Sequence, residues 1–414
     1  MCDAAWLLSH KYHVLRWAAG FRFAVYLDSN TYPDPFGEYE LLISVAEKAL
    51  SLREGSVFDD LSSALANDQW LFGYLGYDLK NETENLSSAN ADPAGFADAC
   101  LFHPEKSIAL RRDGTIELSG ISAEELAAVC SEPFSPPKIA QPIAWQSRFS
   151  KEEYVAAVEK IKTSIRRGDI YETNFCKEFF CENQVIDPVT AFAGINERNP
   201  SPFSAFFKAD DRYALSFSPE RFLRRHEDLL ISQPIKGTAA RFSDAEQDRR
   251  SAQQLQNDPK ERTENIMITD LVRNDMTRSA KEESVRVSEL CGIYTFPSVH
   301  QMISTVQGEV QAGLDDAQII KNMFPMGSMT GAPKIRAMQI MEDVERSRRG
   351  LYSGAIGYFS PGGGFDLNVA IRTLIYHAET RYLSYHTGSA ITHYCDAERE
   401  YDECLLKRRI VDAI

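Results

Sequence analysis

YSGAIGYFSPGGGFDLNVAIRTLIYHAETRYLSYHT, residues 352–387, decides the fold class. Aromatic and β-branched residues alternate here between turn formers, the signature of consecutive strands. Pro361-Gly362-Gly363-Gly364 makes a first turn and Glu379-Thr380 a second, so three strands are expected. The middle one runs from Asp366 to Tyr376. Leu367, Val369, Ile371 and Ile375 share one face; Asn368, Ala370 and Arg372 share the other. Arg372 suits a bidentate carboxylate clamp or a solvated surface, and alternation does not choose between them.

Working outward, residues 213–235 read as strand, turn, strand, centred on Arg225-His226-Glu227-Asp228. Gln69 to Tyr77 is an aromatic strand whose glycines invite close backbone approach. Helices occur in separate runs. Ser150 caps one, Glu153 completes a capping box, Tyr154, Val155, Val158, Ile161 and Ile165 form its apolar stripe, and Gly168 ends it. Residues 243–274 are helical with a break at Pro259, another helix opens at Thr330-Gly331-Ala332-Pro333, and Asp396 to Ile414 is helical. Strand runs segregated from helix runs, without βαβ alternation, define an α+β chain. Ser131-Glu132-Pro133-Phe134-Ser135-Pro136-Pro137 is the natural linker.

The 414 residues are 43% hydrophobic and 25% charged, with ample material for a core. A net charge of −15 argues against a nucleic-acid face and means that an anionic ligand needs local cations. No apolar run approaches the about 18 residues of a membrane span. Met1-Cys2-Asp3 does not open a signal peptide, so a cytoplasmic chain with reduced thiols is expected. The eight cysteines include no C-x-x-C pair, which disfavours structural zinc.

Two carboxylate pairs carry chemistry. Glu261 and Glu264, and Glu400 and Glu403, each stand at i, i+3 on a helix and share a face. Four carboxylates from two helices suit a hard cation such as Mg²⁺. They equally suit solvated helix faces, and Asp258-Pro259-Lys260-Glu261 equally reads as a capping box. Glu220 falls opposite Ile235 and Lys236 if the hairpin turns near Glu227, which makes an acid–amine pair or a surface ion pair. Gly362-Gly363-Gly364 lacks the lysine and helix of a phosphate loop. His300 stands alone, as structural histidines do.

Gln233-Pro234-Ile235-Lys236-Gly237-Thr238, the run from Asp258 to Met267, Asp270 to Asp275, Met326 to Lys334, Ala370 to Thr373 and Glu400 to Glu403 together resemble the chorismate-utilising enzymes. The lysine in the first of these motifs resembles the family's aminodeoxychorismate branch, where anthranilate and isochorismate synthases have alanine. The resemblance covers about residues 145 to 410, with a weaker match near Phe72 to Asp78. It implies two large antiparallel β-sheets packed as a sandwich, with helices outside and the site between. Residues 1–130 would contribute to the sandwich, 131–144 would be a Pro-rich linker, and 145–414 the chorismate-binding catalytic core.

The resemblance also implies roles. Glu264 and Glu403 match direct Mg²⁺ ligands, with Glu261 and Glu400 beside them in direct or water-mediated contact. Arg372, Tyr352 and the backbone at Gly388 match the grip on a substrate carboxylate. Thr238 and Thr330 line the pocket, and His300 sits by the ring. Glu220 matches the acid that protonates the leaving C4 hydroxyl, and it must stay protonated near neutral pH, as burial close to other carboxylates would ensure. Lys236 matches the amine that attacks C2 of chorismate before ammonia takes C4, giving 4-amino-4-deoxychorismate for para-aminobenzoate and folate synthesis. That attack needs the neutral amine, which nearby Mg²⁺ or Arg372 would favour. Relatives that use water carry a base lysine where Glu172 stands, which disfavours water here.

Three residues depart from the branch: Glu172 replaces glutamine, Cys176 replaces serine, and Ser389 adds a Cβ where backbone is expected to approach substrate. No glutaminase segment is recognisable, so a separate glutamine amidotransferase subunit is the expected ammonia source. The competing readings are anthranilate synthase chemistry and a catalytically silent chorismate binder.

Overall fold

The computed structural model of the chain describes residues 3–131, 133–134, 142–297 and 299–412. Two antiparallel sheets form a sandwich. The first has eleven strands, in the spatial order Gly331–Ala332, Glu172–Cys181, Tyr382–Ile391, Thr373–His377, Arg212–Ser218, Phe203–Ala209, Phe23–Asp28, Tyr39–Ala46, Lys106–Arg111 and Ile116–Ser119, with Gln146–Ser147 beside Glu172–Cys181. The second has nine: Ile235–Ala240, Val299–Glu309, Leu229–Gln233, Arg221–His226, Phe365–Asn368, Ala355–Phe359, Leu71–Leu75 and Ala99–Phe102, with Arg286–Thr295 beside Val299–Glu309.

The N-terminal strands are built into both sheets. Phe23–Asp28 pairs with Phe203–Ala209, and Leu71–Leu75 pairs with Ala355–Phe359. Of the linker expected at 131–144, residues 132 and 135–141 lie outside the described residues. Between the sheets, Phe23, Val25 and Phe207 pack on Phe72, Tyr74, Phe102 and Ile356. The Tyr74 and Phe207 rings meet edge to face at 5.0 Å.

Helices cover both outer faces. Lys11–Ala18 and Pro188–Arg198 pack on the first sheet through Val14, Leu15, Phe192 and Ile195. Lys151–Arg167, Lys334–Val344 and Ala397–Arg408 gather around Phe175 and Ile391 through Tyr154, Val158, Ile161, Met341 and Cys404. Pro259–Thr277 and Asp316–Met323 cover the second sheet through Ile268, Val272, Met276, Ile319 and Ile320. The Ser150–Glu153 capping box forms, and Gly168 ends that helix in the left-handed conformation. Among the described residues no helix is long and apolar enough to cross a membrane.

Three expectations are corrected. Residues 352–387 hold four strands, or parts of them, and the strand expected over Asp366–Tyr376 is two: Phe365–Asn368 in the second sheet and Thr373–His377 in the first. Alternation runs straight through because Val369 and Ala370 are buried at the crossing too; a period of two does not record which sheet a strand joins. Residues 213–235 change sheets in the same way, since Arg212–Ser218 belongs to the first sheet and Arg221–His226 to the second. The helix expected at Thr330 starts at Lys334 instead, because Gly331 and Ala332 pair with Thr173 and Glu172 as a short strand.

Close strand approach makes Gly73 irreplaceable: a Cβ there would lie 2.0 Å from the Cys100 carbonyl oxygen. Gly73→Ala should therefore lower the melting temperature, at an overpacking cost of about 1–3 kcal/mol. Gly194→Ala, whose Cβ meets nothing nearer than the flexible end of Arg198 at 3.4 Å, should be neutral or stabilising. Thermal melts of both variants check this.

Candidate active site

The chain passes between the sheets at Pro219–Glu220 and again at Val369–Arg372, and the two corners are tied together. The Val369 N–H donates to the Glu220 carbonyl at 3.0 Å, and the Phe217 N–H donates to the Arg372 carbonyl at 3.1 Å. Arg372 takes φ +50°, the local cost of the turn. Next to Glu220, the fully buried Arg221 binds Asp34 (2.5 Å), Asp366 (2.9 Å) and Gln233 (2.6 Å), which pins the first corner to the second sheet.

Glu220 is buried, and burial raises its carboxyl to about 7, against the pull of Ser328, Lys236, the Ile235 N–H and Arg372 toward the ionised form. Of the two causes expected from sequence, burial and neighbouring carboxylates, burial is the one that acts here. The charges around it are cations, and desolvation outweighs them. Burial likewise lowers the pKa of Arg372, opposed by Tyr385 and Glu220. The Arg372 guanidinium makes no ion pair among the described residues.

Lys236 sits on a bulge: the pairing of Ile235–Ala240 with Val299–Glu309 shifts register between Ile235 and Thr238. Gly237 carries it with φ +97°, and a Cβ there would press within 3.2 Å of Glu261 Oε2. Asn265, a residue for which sequence suggested no role, holds the bulge by donating from Nδ2 to the Lys236 carbonyl (3.2 Å) and the Met302 carbonyl (3.0 Å). The Lys236 ammonium favours the ionised form of Glu220.

The four glutamates converge from two helices, Pro259–Thr277 and Ala397–Arg408. The Lys260 ammonium stands among them, 3.7 Å from Glu261, 3.6 Å from Glu264 and 3.8 Å from Glu400. Glu264 and Glu400 are buried, and Glu264 Oε1 has no hydrogen-bond partner. Burial and the repulsion of Glu403 lift Glu400 to about 7. Glu403 is more open and pairs with Lys407 at 2.7 Å. An oxygen-only donor set carrying this much uncompensated negative charge fits a hard divalent cation. The capping-box alternative fails on geometry. Asp258 does cap the helix, but its own N–H bonds to the Leu255 carbonyl, so Glu261 is free to face the cluster.

Thr330 is buried, and its hydroxyl is turned to the Met326 and Gly327 carbonyls while its own carbonyl accepts from Asn174. Tyr352 is buried and stacks on His386 at 5.2 Å. Beneath it runs an unforeseen brace: Arg349 pairs with Glu345 (2.7 Å) and donates to the Asn174 carbonyl (2.9 Å), while Glu345 accepts from the Cys176 N–H. Gly388 fits against the Asn174 side chain, which a Cβ would meet at 2.6 Å, and its carbonyl accepts from Lys407. Ser389 turns the other way, donating to the Glu400 carbonyl, so its extra Cβ does not stand beside Gly388. Thr238 is exposed on the bulged strand. His300 is buried with both ring nitrogens engaged, by Asp248 and Thr295 at 3.0 Å each. It presents an oriented ring rather than a free nitrogen.

A cavity of about 10 Å³ touches Glu220 and Ser328. A larger one, about 70 Å³, lies beyond the corner against Asp34, Arg221, Tyr358 and Asp366. A separate grouping of Asp211, His377 and Glu379 sits at the far end of the same strands from Arg372 and is more exposed.

Residues 23–412 match the model of a family described as chorismate binding enzyme. The chain is 36% identical over 342 residues to the aminodeoxychorismate synthase component 1 of Klebsiella aerogenes, covering 80% of this chain and 74% of that protein. It is 35% identical over 364 residues to the anthranilate synthase component 1 of Cereibacter sphaeroides, covering 82% and 72%. In fold it is similar to the crystal structure of anthranilate synthase component I from Streptococcus pneumoniae, with a TM-score of 0.76, 24% identity, and 94% of this chain and 90% of that one covered. The menaquinone-specific isochorismate synthase of Escherichia coli superposes with a TM-score of 0.76 at 18% identity, over 96% and 91% of the chains. The chain belongs to the chorismate binding enzyme family.

A carboxyl raised from its ordinary value to about 7 makes a prediction about stability. The unfolded chain releases the Glu220 proton from its ordinary carboxylate range upward, whereas the folded chain keeps it to about 7, so stability falls with rising pH across that window. Glu220→Gln removes the liability. Its unfolding free energy should match wild type near pH 4 and exceed it increasingly toward pH 7, by roughly the 3 kcal/mol that such a shift represents, with the melting temperature rising in step. Melts across pH 4–8 check the sign.

Proposed function

We propose that this chain is a chorismate-aminating component of aminodeoxychorismate synthase. It replaces the C4 hydroxyl of chorismate with an amino group from ammonia, giving 4-amino-4-deoxychorismate for para-aminobenzoate and folate synthesis. Identity alone does not separate amination at C4 from anthranilate formation, because relatives of both kinds match almost equally. The observation that carries the choice is Lys236, placed on a glycine-supported bulge beside Glu220.

Each residue then has a task. Arg372, unpaired among the described residues, takes a ring-side carboxylate of the dianion. Thr238, Thr330, Tyr352 and the backbone at Gly388 line the pocket, and His300 sets its wall. Lys236 attacks C2, the ring double bond shifts, and the C4–O bond breaks as Glu220 gives its proton to the departing hydroxyl. Ammonia then forms the C4–N bond, and the bond between Lys236 and C2 breaks. Glu261, Glu264, Glu400 and Glu403 would hold Mg²⁺, which supplies positive charge to a substrate carboxylate in an acidic protein. Residues 145–414 form the catalytic core on this reading. A separate glutamine amidotransferase subunit supplies ammonia, and the pair works in the cytoplasm.

With chorismate, ammonium and Mg²⁺, the purified chain should yield 4-amino-4-deoxychorismate, resolved by chromatography; anthranilate or no product would contradict the reading. Lys236→Ala should lose orders of magnitude without reaching zero, since Glu220 still activates the hydroxyl for direct attack. Glu264→Ala should abolish turnover while leaving the melting temperature near wild type, because it removes a cation ligand rather than a packing group. Retained Mg²⁺-dependent activity in Glu264→Ala would exclude the four-glutamate site.

A further inference from the structure

The strand Glu172–Cys181 opens on a carboxylate that nothing holds. Glu172 is 2% exposed, and neither of its side-chain oxygens has a hydrogen-bond partner. Its backbone is fixed. It pairs with Ala332, and its carbonyl lies 2.4 Å from where a Cβ on Gly331 would stand, so only glycine allows the two strands to meet here. Burial raises the Glu172 carboxyl to about 7, while the charge of Lys236 favours its ionised form and that of Glu264 opposes it. Glu172 is thus buried, unpartnered and within electrostatic reach of both the Lys236 amine and Glu264.

A buried acceptor left without a donor is destabilising, and Glu172 has two. The complement of two close carboxylate oxygens in a confined, negatively charged space is a small cation rich in N–H donors. Lys236 acts on Glu172 through charge alone and does not hydrogen-bond to it. The amination read above, on which this inference rests, brings one such species into the same cleft. We propose that Glu172 receives the nitrogen nucleophile: its two oxygens accept N–H hydrogen bonds from ammonium beside Lys236 and take the proton that the nitrogen must lose before it attacks.

The proton count closes. Glu220 gives a proton to the C4 oxygen, which leaves as water. Ammonium gives a proton to Glu172, and the freed lone pair forms the C4–N bond while the electron pair of the bond between Lys236 and C2 returns to the Lys236 nitrogen. The product leaves as a C4 ammonium. Glu172 then holds the one proton that Glu220 lacks, and its transfer, directly or through water, restores both groups.

Steady-state kinetics with ammonium as the varied substrate test this. Glu172→Gln should raise the KM for ammonium roughly tenfold or more, the loss expected when a charged hydrogen-bond acceptor becomes neutral. The KM for chorismate should stay within about twofold, since Glu172 is not part of the carboxylate grip. The defect should shrink as pH rises and neutral ammonia replaces ammonium, a change that a packing role would not produce. Glu172→Asp, which keeps the charge on a shorter arm, should fall between the two, and it decides the matter if Glu172→Gln does not fold. An unchanged ammonium KM, or equal rises in both KM values, would overturn the role of Glu172. Absence of any aminated product from wild type would instead overturn the reading beneath it.

Discussion

Two hydrogen bonds, from Val369 to Glu220 and from Phe217 to Arg372, bind the places where the chain leaves one sheet for the other. Each sheet is a ladder whose edges and faces are satisfied locally, but the crossings belong to neither ladder. Tying the corners to each other satisfies backbone groups that would otherwise be buried unpaired. It also sets an acid and an arginine side by side in the interior, where neither would settle alone. The Arg221 cluster with Asp34 and Asp366 locks the arrangement from behind. The bulge at Lys236, the strand start at Glu172 and the two glutamate helices are then disposed around this fixed point.

The same geometry explains why the site destabilises the protein that holds it. Glu220, Glu172, Glu264 and Glu400 are all buried carboxyls. Burial lifts Glu220, Glu172 and Glu400 to about 7 in each case. Surrounding Glu220 with Lys236 and Arg372 does not restore it to the usual carboxylate range, because losing water costs more than two imperfectly placed cations return. Among the glutamates, Lys260 serves as an internal counter-ion, its own charge favoured by all four of them. On the proposed function, a chorismate dianion and a divalent cation would bring the charges that such a cleft lacks, so binding and folding would pull the same way.

Much of this was legible in local periodicity. The capping box at Ser150 and Glu153 and the paired glutamates depend only on i, i+3 geometry, and both stand in the structure. What local pattern does not carry is the choice of partner. Alternation across Asp366–Tyr376 is the same whether a strand stays in one sheet or changes to another, because both halves face buried surroundings. Asp258 matches a capping box until one knows that Leu255 already holds its N–H. Ser389 looked like an obstruction beside the substrate, yet a period of two points it at the helix Ala397–Arg408. Asn265 and Arg349 are polar residues in helical or turn segments, with nothing in their spacing to announce that they brace the Lys236 bulge and the Asn174 strand.

If the bulge at Lys236 and the corner at Glu220 face opposite ends of one ring, chorismate supplied with Mg²⁺ and without ammonium should stall on the enzyme. Intact-protein mass spectrometry should then show an added mass of chorismate less one water, and peptide mapping should place it on Lys236. Because the bond is a secondary amine and not an imine, borohydride should not be needed to see it. An adduct on Lys236 that disappears when ammonium is added is the predicted result. An unmodified lysine under conditions in which the same preparation aminates chorismate would contradict it.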